Sequence, residues 1–235
     1  MYSGKTVLIT GSSRGVGDYL VNHFLENGAK VIGMAHNRYD GINFRQFSVD
    51  LSDSTSIVEC FDRIKVELPD EGIDILINNA AILTSQYSTK MKVEDARAMV
   101  NIDLLAPFIV AREGVKLMKR VPYGRIINIS SMAVTLEPQG DSMYAACKAG
   151  LEKMSNIMAK EFNVFGTTVN TLGISAIETD MLRQLNKEKV DKVVASLPIP
   201  RYATIEDIIN VIDFFCSPKS NYITAQTIYL GGIHG

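Results

Sequence analysis

The chain alternates between two periodicities. Thr6-Val7-Leu8-Ile9 is an unbroken apolar run, and beyond a glycine-rich turn Asp18-Tyr19-Leu20-Val21-Asn22-His23-Phe24-Leu25 repeats apolar residues at helical spacing. The first reads as a buried strand and the second as an amphipathic helix. The alternation continues along the chain. Strands are expected near 5–10, 30–34, 44–48, 73–78, 124–130, 167–172 and 226–230, and helices near 15–27, 54–68, 92–119, 142–165 and 204–217. Strands such as Ile73-Asp74-Ile75-Leu76-Ile77 are nearly continuous apolar runs, the pattern of a parallel sheet covered on both faces. The expectation is an α/β fold, a doubly wound parallel sheet of about seven strands with helices on both faces and ligands at the carboxyl ends of the strands.

The first strand-to-helix turn reads Thr10-Gly11-Ser12-Ser13-Arg14-Gly15-Val16-Gly17. Glycines there let the backbone bend sharply and approach a pyrophosphate, while the helix N-terminus supplies N–H donors and a favourable dipole. Gly11, Ser13, Arg14, Gly15, Val16 and Gly17 therefore form a candidate dinucleotide cradle, and the sheet is expected to be Rossmann-type. No repeat, low-complexity segment or Pro/Gly/Ser linker divides the 235 residues, so one domain over 1–235 is expected. Residues 173–203 are the least regular stretch. They follow the sixth strand, and Pro198 and Pro200 end a short helical pair, which suggests a substrate lid.

A net charge of −2 gives no general attraction to nucleic acid or an anionic membrane. No apolar run approaches the length of a membrane span, and the first residues enter a strand with no signal-peptide core. Cys60, Cys147 and Cys216 are widely scattered, without metal-ligand spacing. Reduced, semi-buried thiols in a cytoplasmic protein are expected, with no metal, no nucleic acid and no membrane partner.

Tyr144 and Lys148 lie four residues apart in a helical stretch, which stacks them on one face. A phenol normally holds its proton to about pH 10. An adjacent ammonium stabilises the phenolate, so the pair is a candidate proton donor and acceptor near neutral pH. Ser131 ends the apolar run Arg125-Ile126-Ile127-Asn128-Ile129-Ser130 and is placed to polarise a carbonyl. Cys147 adjoins Lys148 but belongs to another helical face, so it is not expected to be a nucleophile.

Thr10-Gly11-x-x-x-Gly15-x-Gly17, Asn78-Asn79-Ala80-Ala81, Asn101, Asn128-Ile129-Ser130-Ser131 and Tyr144-x-x-x-Lys148 follow one another in this order. In these motifs the chain resembles the short-chain dehydrogenase/reductases, especially the 3-oxoacyl reductase-like branch, over nearly its whole length. The resemblance implies an NAD(P)-dependent oxidoreductase. It makes Tyr144 the general acid of carbonyl reduction. Lys148 would bind the nicotinamide ribose and lower the phenol's pKa, and Ser131 would hydrogen-bond the carbonyl. Asn101 would hold a water linking Lys148 to solvent; a helix-bending role for it stays open. Asp50 would meet the adenine amino group and Leu51 the ring edge, with a turn or cap role open for Asp50. Ala80 would lie beside a cofactor ribose. Asn78 is either a cofactor contact or a tie between strands. Ile177 would reach the carboxamide and Thr179 the phosphates.

NAD-preferring enzymes usually carry an acidic residue at the end of the second strand, where this chain has Ala35. By resemblance Arg14 and Arg38 would meet a 2′-phosphate, with His36 and Asn37 as donors, so NADP(H) is favoured over NAD(H). Two departures stand out. The family's Pro-Gly after the sixth strand is Ile174-Ser175, with Gly173 as a substitute bend, and its Asp before Gly231-Gly232 is absent. Expected pocket walls are Ala81, Ile82, Met132, Ala133, Leu136, Gln139, Met181, Leu182 and Leu185, suited to a hydrophobic small-molecule ketone or secondary alcohol. Pro122 and Phe165 stand where carrier-protein arginines would be expected, which makes a carrier protein possible but not favoured. A homotetramer is expected, through helices carrying Leu104, Leu105, Phe108, Leu151, Met154 and Met158. A non-catalytic nucleotide-binding or assembly subunit is the alternative reading.

Overall fold

The computed structural model describes residues 1–36, 40–41, 43–67, 69, 72–119 and 123–233. Thr6–Thr10 (β1) leads into Gly15–Glu26 (α1), followed by Lys30–Ala35 (β2), the two-residue Asp40–Gly41 (β3), Phe44–Ser48 (β4), Ser54–Glu67 (α2) and Ile75–Asn78 (β5). Val93–Val100 (α3), a π-helical turn at Asn101–Leu105 and Ala106–Met118 (α4) form one helical run before Gly124–Ser131 (β6). Then come Ala133–Leu136 (α5), Ser142–Phe162 (α6), Thr167–Ile174 (β7), Asp180–Arg183 (α7), Lys187–Ser196 (α8), Ile205–Cys216 (α9) and Thr227–Tyr229 (β8).

The sheet order is β3-β4-β2-β1-β5-β6-β7-β8. All pairings are parallel except the antiparallel stub β3 against β4. From β1 the chain winds outward through β2 to β4, then crosses back to β5 and winds the other way. The reversal lies between β1 and β5, the place where an open parallel sheet opens a ligand crevice. Strand alternation feeds a core on each face. Leu8, Leu76 and Ile126 pack with Phe61 of α2, Val110 of α4 and Phe162 of α6. Val7, Ile9, Ile75 and Ile127 pack with Leu20 and Phe24 of α1 and Phe215 of α9. Cys60, Cys147 and Cys216 are free and fully within the interior rather than semi-buried. No helix among the described residues is long and apolar enough to cross a membrane.

The helix expected over 92–119 contains the π-turn at Asn101–Leu105, which fits the helix-bending setting left open for Asn101. Gly173 is not a bend. It lies inside β7, paired with Ser130 and Tyr229, and a Cβ there would meet the Tyr229 ring. Its missing side chain makes room for that ring, and the strand runs straight on through Ile174.

The three glycines of the first turn serve two purposes. Gly11 (φ 68°) and Gly15 (φ 56°) adopt the left-handed backbone that other residues resist. Gly17 is there for contact: a Cβ would run into the Gly11 carbonyl oxygen and lie 2.7 Å from Asn79 Nδ2. Gly17→Ala should therefore cost about 1–3 kcal/mol of stability, the usual range for overpacking. Urea unfolding checks it, and wild-type stability in the variant would contradict the contact.

Candidate active site

Thr10 ends β1 and organises the crevice. Its hydroxyl accepts from the Asn79 and Ala80 backbone N–H groups, each at 3.1 Å. The Asn79 amide donates back to the carbonyls of Thr10 at 3.0 Å and Gly11 at 3.3 Å. These bonds lock the end of β1 to the loop after β5 and hold open a cleft of about 660 Å³. One end is lined by Gly11, Ser13, Arg14, Gly15 and Val16 at the start of α1, and by Ala35, His36, Asp50 and Leu51 at the ends of the outer strands. The other end is lined by Tyr144 and Lys148. Ile177, Thr179 and Met181 close it from the side.

The cradle suits a dinucleotide. Gly15 and Gly11 keep side chains out of the turn, and Arg14, at the N-cap of α1, is exposed with no ion pair among the described residues. No carboxylate stands at Ala35. Asp50 serves its own turn, with Oδ1 accepting from the Ser52 N–H at 2.8 Å and hydroxyl at 2.7 Å. Those bonds hold its carboxyl below the usual range. Asp50 therefore holds the turn that was one of its expected settings, and it also lines the cleft, 4.0 Å from His36 Nε2. Asn37, Arg38 and Pro122 lie outside the described residues.

At the other end, α6 buries Tyr144 (7% exposed) and Lys148 (2%) on one face. Lys148 Nζ donates to the Ile129 carbonyl at 2.9 Å and sits 5.7 Å from the Tyr144 ring centre. Burial pushes the Tyr144 phenol above its ordinary value. Asp103 and Asp141 add to this, and the Ser131 hydrogen bond opposes it. Burial pulls Lys148 down, opposed first by Asp103. The phenol is thus held above its ordinary value by burial first, against the expectation that Lys148 lowers it. Burial likewise raises the Cys147 thiol to about 11, which leaves it unreactive.

The two serines at the end of β6 part company. Ser131 turns to Tyr144 and accepts from the Ala133 N–H at 3.1 Å. Ser130 donates to Glu152 Oε1 at 2.5 Å, and the same carboxylate takes the Tyr229 hydroxyl at 2.6 Å. Glu152 lies one turn past Lys148 and ties α6 to β6 and β8.

Asn78 does not line the main cleft. It is 4% exposed, and its amide donates to Asn128 Oδ1 at 2.7 Å, tying β5 to β6. Gly17 is likewise a packing residue. Asn101 opens the π-turn, its carbonyl accepting from the Ala106 N–H. Met132, Leu182 and Leu185 are spent on a separate cluster with Ala176, Val190, Val194 and Tyr202, which roots α7 and α8. Ala133 packs beside Tyr144 and Leu136 is half-exposed. Ala81, Ile82 and Met181 do line the cleft, joined by Leu83, Thr84 and Gln184, which sequence reading missed. Nothing in their pattern marks them; only the path of the loops brings them there. Asp103 was also missed, although a lone acid in the apolar stretch after Asn101 was a visible signal.

A family model described as Enoyl-(Acyl carrier protein) reductase matches residues 11–234. The chain belongs to the short-chain dehydrogenase/reductase family of oxidoreductases. It is 33% identical to the 3-oxoacyl-[acyl-carrier-protein] reductase FabG of Escherichia coli (strain K12), over 98% of this chain and 97% of that protein. It is 35% identical to the protein of the same name from Rickettsia bellii (strain RML369-C), over 98% and 96%. A crystal structure provisionally described as a gluconate dehydrogenase from Agrobacterium tumefaciens matches with TM-score 0.88 and 26% identity, over 98% and 96% of the two chains. A short-chain dehydrogenase/reductase from Serratia marcescens BCRC 10948 shares the fold, with TM-score 0.86 and 22% identity over 98% of each chain.

The Glu152 tie has a measurable strength. Tyr229→Phe removes a donor from a half-buried carboxylate and should cost about 1.5–3 kcal/mol. Thermal or urea unfolding reads the loss, and an unchanged midpoint would show the bond to be incidental.

Proposed function

We propose that the chain is an NADPH-dependent ketoreductase with Tyr144 as its acid-base group. The observation that carries this reading is a single cleft with a glycine cradle at one end and the buried Tyr144 and Lys148 at the other. Gly11, Ser13, Arg14, Gly15 and Val16 would hold the pyrophosphate against the N-terminus of α1, and Asp50 and Leu51 the adenine. Arg14 and His36 would meet a 2′-phosphate, with Ala80 beside a ribose, Lys148 on the nicotinamide ribose, and Ile177 and Thr179 at the carboxamide and phosphates. The bound nicotinamide supplies the hydride, which no side chain can deliver.

Tyr144 donates its proton to the carbonyl oxygen as that oxygen becomes an alkoxide, and Ser131 steadies the same oxygen by a hydrogen bond. Burial favours the neutral phenol, the form an acid needs, so reduction is the direction this site supports best. Lys148 places positive charge beside the phenol as it gives up its proton. Asn101 would hold the water that returns a proton through Lys148; its place at a π-turn, a frequent feature of functional sites, supports that role. The segment 173–203 would serve as a lid within the single domain 1–235, since Met181 and Gln184 edge the cleft.

The substrate class follows the relatives' names, a 3-oxoacyl group or a similar hydrophobic ketone. Those names raise the standing of a carrier-linked substrate above the sequence reading, although Phe165 is covered by Lys119 at 3.9 Å rather than replaced by an arginine. A homotetramer is proposed on the resemblance. Leu151 and Met158 belong to the chain's own interior, so the contacts would fall to the exposed Leu105, Phe108 and Ile157.

Tyr144→Phe tests the chemistry, since it keeps the ring and removes the transferable proton. Turnover on a ketone panel with NADPH should fall by roughly 10²–10⁴, with NADPH affinity little changed. Near-normal turnover would overturn Tyr144 as the acid, whereas nucleotide binding with no turnover in the wild type would move the assignment to a nucleotide-binding subunit. Arg14→Ala tests the cofactor: it should weaken NADPH by roughly 1.5–3 kcal/mol, the worth of a charged hydrogen bond, and NADH far less. Fluorescence titration with both nucleotides reads this, and equal weakening would reduce Arg14 to a loop-shaping role.

A further inference from the structure

Asp103 is an acid in a place where acids are costly. It sits within the π-turn Asn101–Leu105, between apolar neighbours, and is 0% exposed. Its Oδ1 accepts from the Ile82 N–H at 2.9 Å. Its Oδ2 is buried with no hydrogen-bond partner among the described residues. A carboxylate held dry and half-satisfied survives only where a nearby positive charge offsets the cost. The cation that acts on it is Lys148 of α6, itself buried and, among the described residues, hydrogen-bonded to the neutral Ile129 carbonyl.

We propose that Asp103 is a positioning residue, the buried counter-charge that keeps the Tyr144–Lys148 pair protonated while its bond to Ile82 pins the cleft floor to the π-turn. This rests on the reading of Tyr144 and Lys148 as the acid-base pair. The surrounding groups make Asp103 the principal electrostatic partner of both. Lys148 faces Asp103, then Cys147 and Glu152, and the Glu152 carboxylate is engaged by Ser130 and Tyr229. Tyr144 faces Asp103, the Ser131 hydroxyl and Asp141, whose own charge is discouraged by burial and answered by Ser85 and Lys189. Burial raises Asp103 itself to about 6 against the pull of Lys148, so it is ionised at neutral pH.

The sign of its effect does not depend on which partner loses its proton first. A negative charge opposes proton loss from the phenol and from the ammonium alike, so removing it makes either loss easier. The two titrate as a coupled unit, and the unit's apparent pKa must fall. The bond to Ile82 is a separate effect. Loop residues Ala81 and Ile82 line the cleft, and Asp103 is the side chain that fixes them to the helix.

Asp103→Asn keeps an acceptor for Ile82 and removes the charge, while Asp103→Leu removes both. The pH dependence of NADPH affinity, followed by nucleotide fluorescence, and of ketone reduction should each be measured from pH 6 to 10. In Asp103→Asn the alkaline limb of both should move down by about one pH unit or more, as expected for loss of a close charge. Asp103→Leu should show the same shift and a raised KM as well. Asp103→Glu, which keeps the charge, should retain the wild-type limb, and decides the matter if Asp103→Asn does not fold. A third readout needs no nucleotide. Because the folded-state pKa of Asp103 is raised, its stabilising contribution is full below about pH 3.8 and is lost as pH rises through about 6. The melting temperature of Asp103→Asn should therefore gain on wild type between those values. An unmoved alkaline limb in Asp103→Asn, or a shifted one in Asp103→Glu, overturns the proposal. Absent ketone turnover in the wild type would sink the enzymatic reading, while the affinity and melting profiles still decide the role of Asp103.

Discussion

The interaction on which the rest depends is the clamp between Thr10 and Asn79. β1 and β5 part at the point where the sheet reverses its winding, and a crevice there needs its two walls held in register. The Thr10 hydroxyl accepts two backbone N–H groups, and the Asn79 amide answers to two carbonyls. Because Asn79 also lies against Gly17, the same clamp fixes the first turn of α1. One polar cluster thereby positions the helix N-terminus, the cleft floor and the carboxyl end of the central strand. Each of its four bonds joins one of these two side chains to a backbone group, so the Thr10 hydroxyl and the Asn79 amide serve backbone N–H and carbonyl groups at the end of β1 and in the loop after β5.

At the far end of the cleft, positioning is electrostatic rather than steric. Lys148 gives up water for one carbonyl and a buried acid. Desolvation drives the phenol and the ammonium toward their neutral forms, and Asp103 opposes that for Lys148 while reinforcing it for Tyr144. The π-turn matters here because it carries Asn101 and the buried Asp103, and Asp103 bonds from it to the Ile82 N–H of the loop that lines the cleft. The Glu152 bonds to Ser130 and Tyr229 anchor the next turn of α6, so the helix bearing Tyr144 and Lys148 is held from both sides.

Much of this was legible in the sequence because it is local. Apolar runs between glycine turns gave the seven parallel strands, and four-residue spacing put Tyr144 and Lys148 on one face. Ser131 was separable from Ser130 by alternation along a strand, and the structure sends them to Tyr144 and Glu152 respectively. What was not legible depends on burial and on distant pairing. Asn78 binds Asn128 across the sheet, Gly173 yields to Tyr229, and Met132 is drawn into the cluster under α8. The direction of the Tyr144 shift was misjudged for the same reason: the neighbouring lysine is visible in sequence, whereas the depth of burial is not.

The most direct test of the account is a crystal structure of the chain grown with NADPH. The account predicts one dinucleotide per chain in the cleft, with adenine at Asp50 and Leu51, pyrophosphate on the turn between Gly11 and Val16, and the nicotinamide ribose within hydrogen-bond distance of Lys148 Nζ. A nucleotide bound elsewhere, or one whose nicotinamide end lies away from Tyr144 and Lys148, would contradict it.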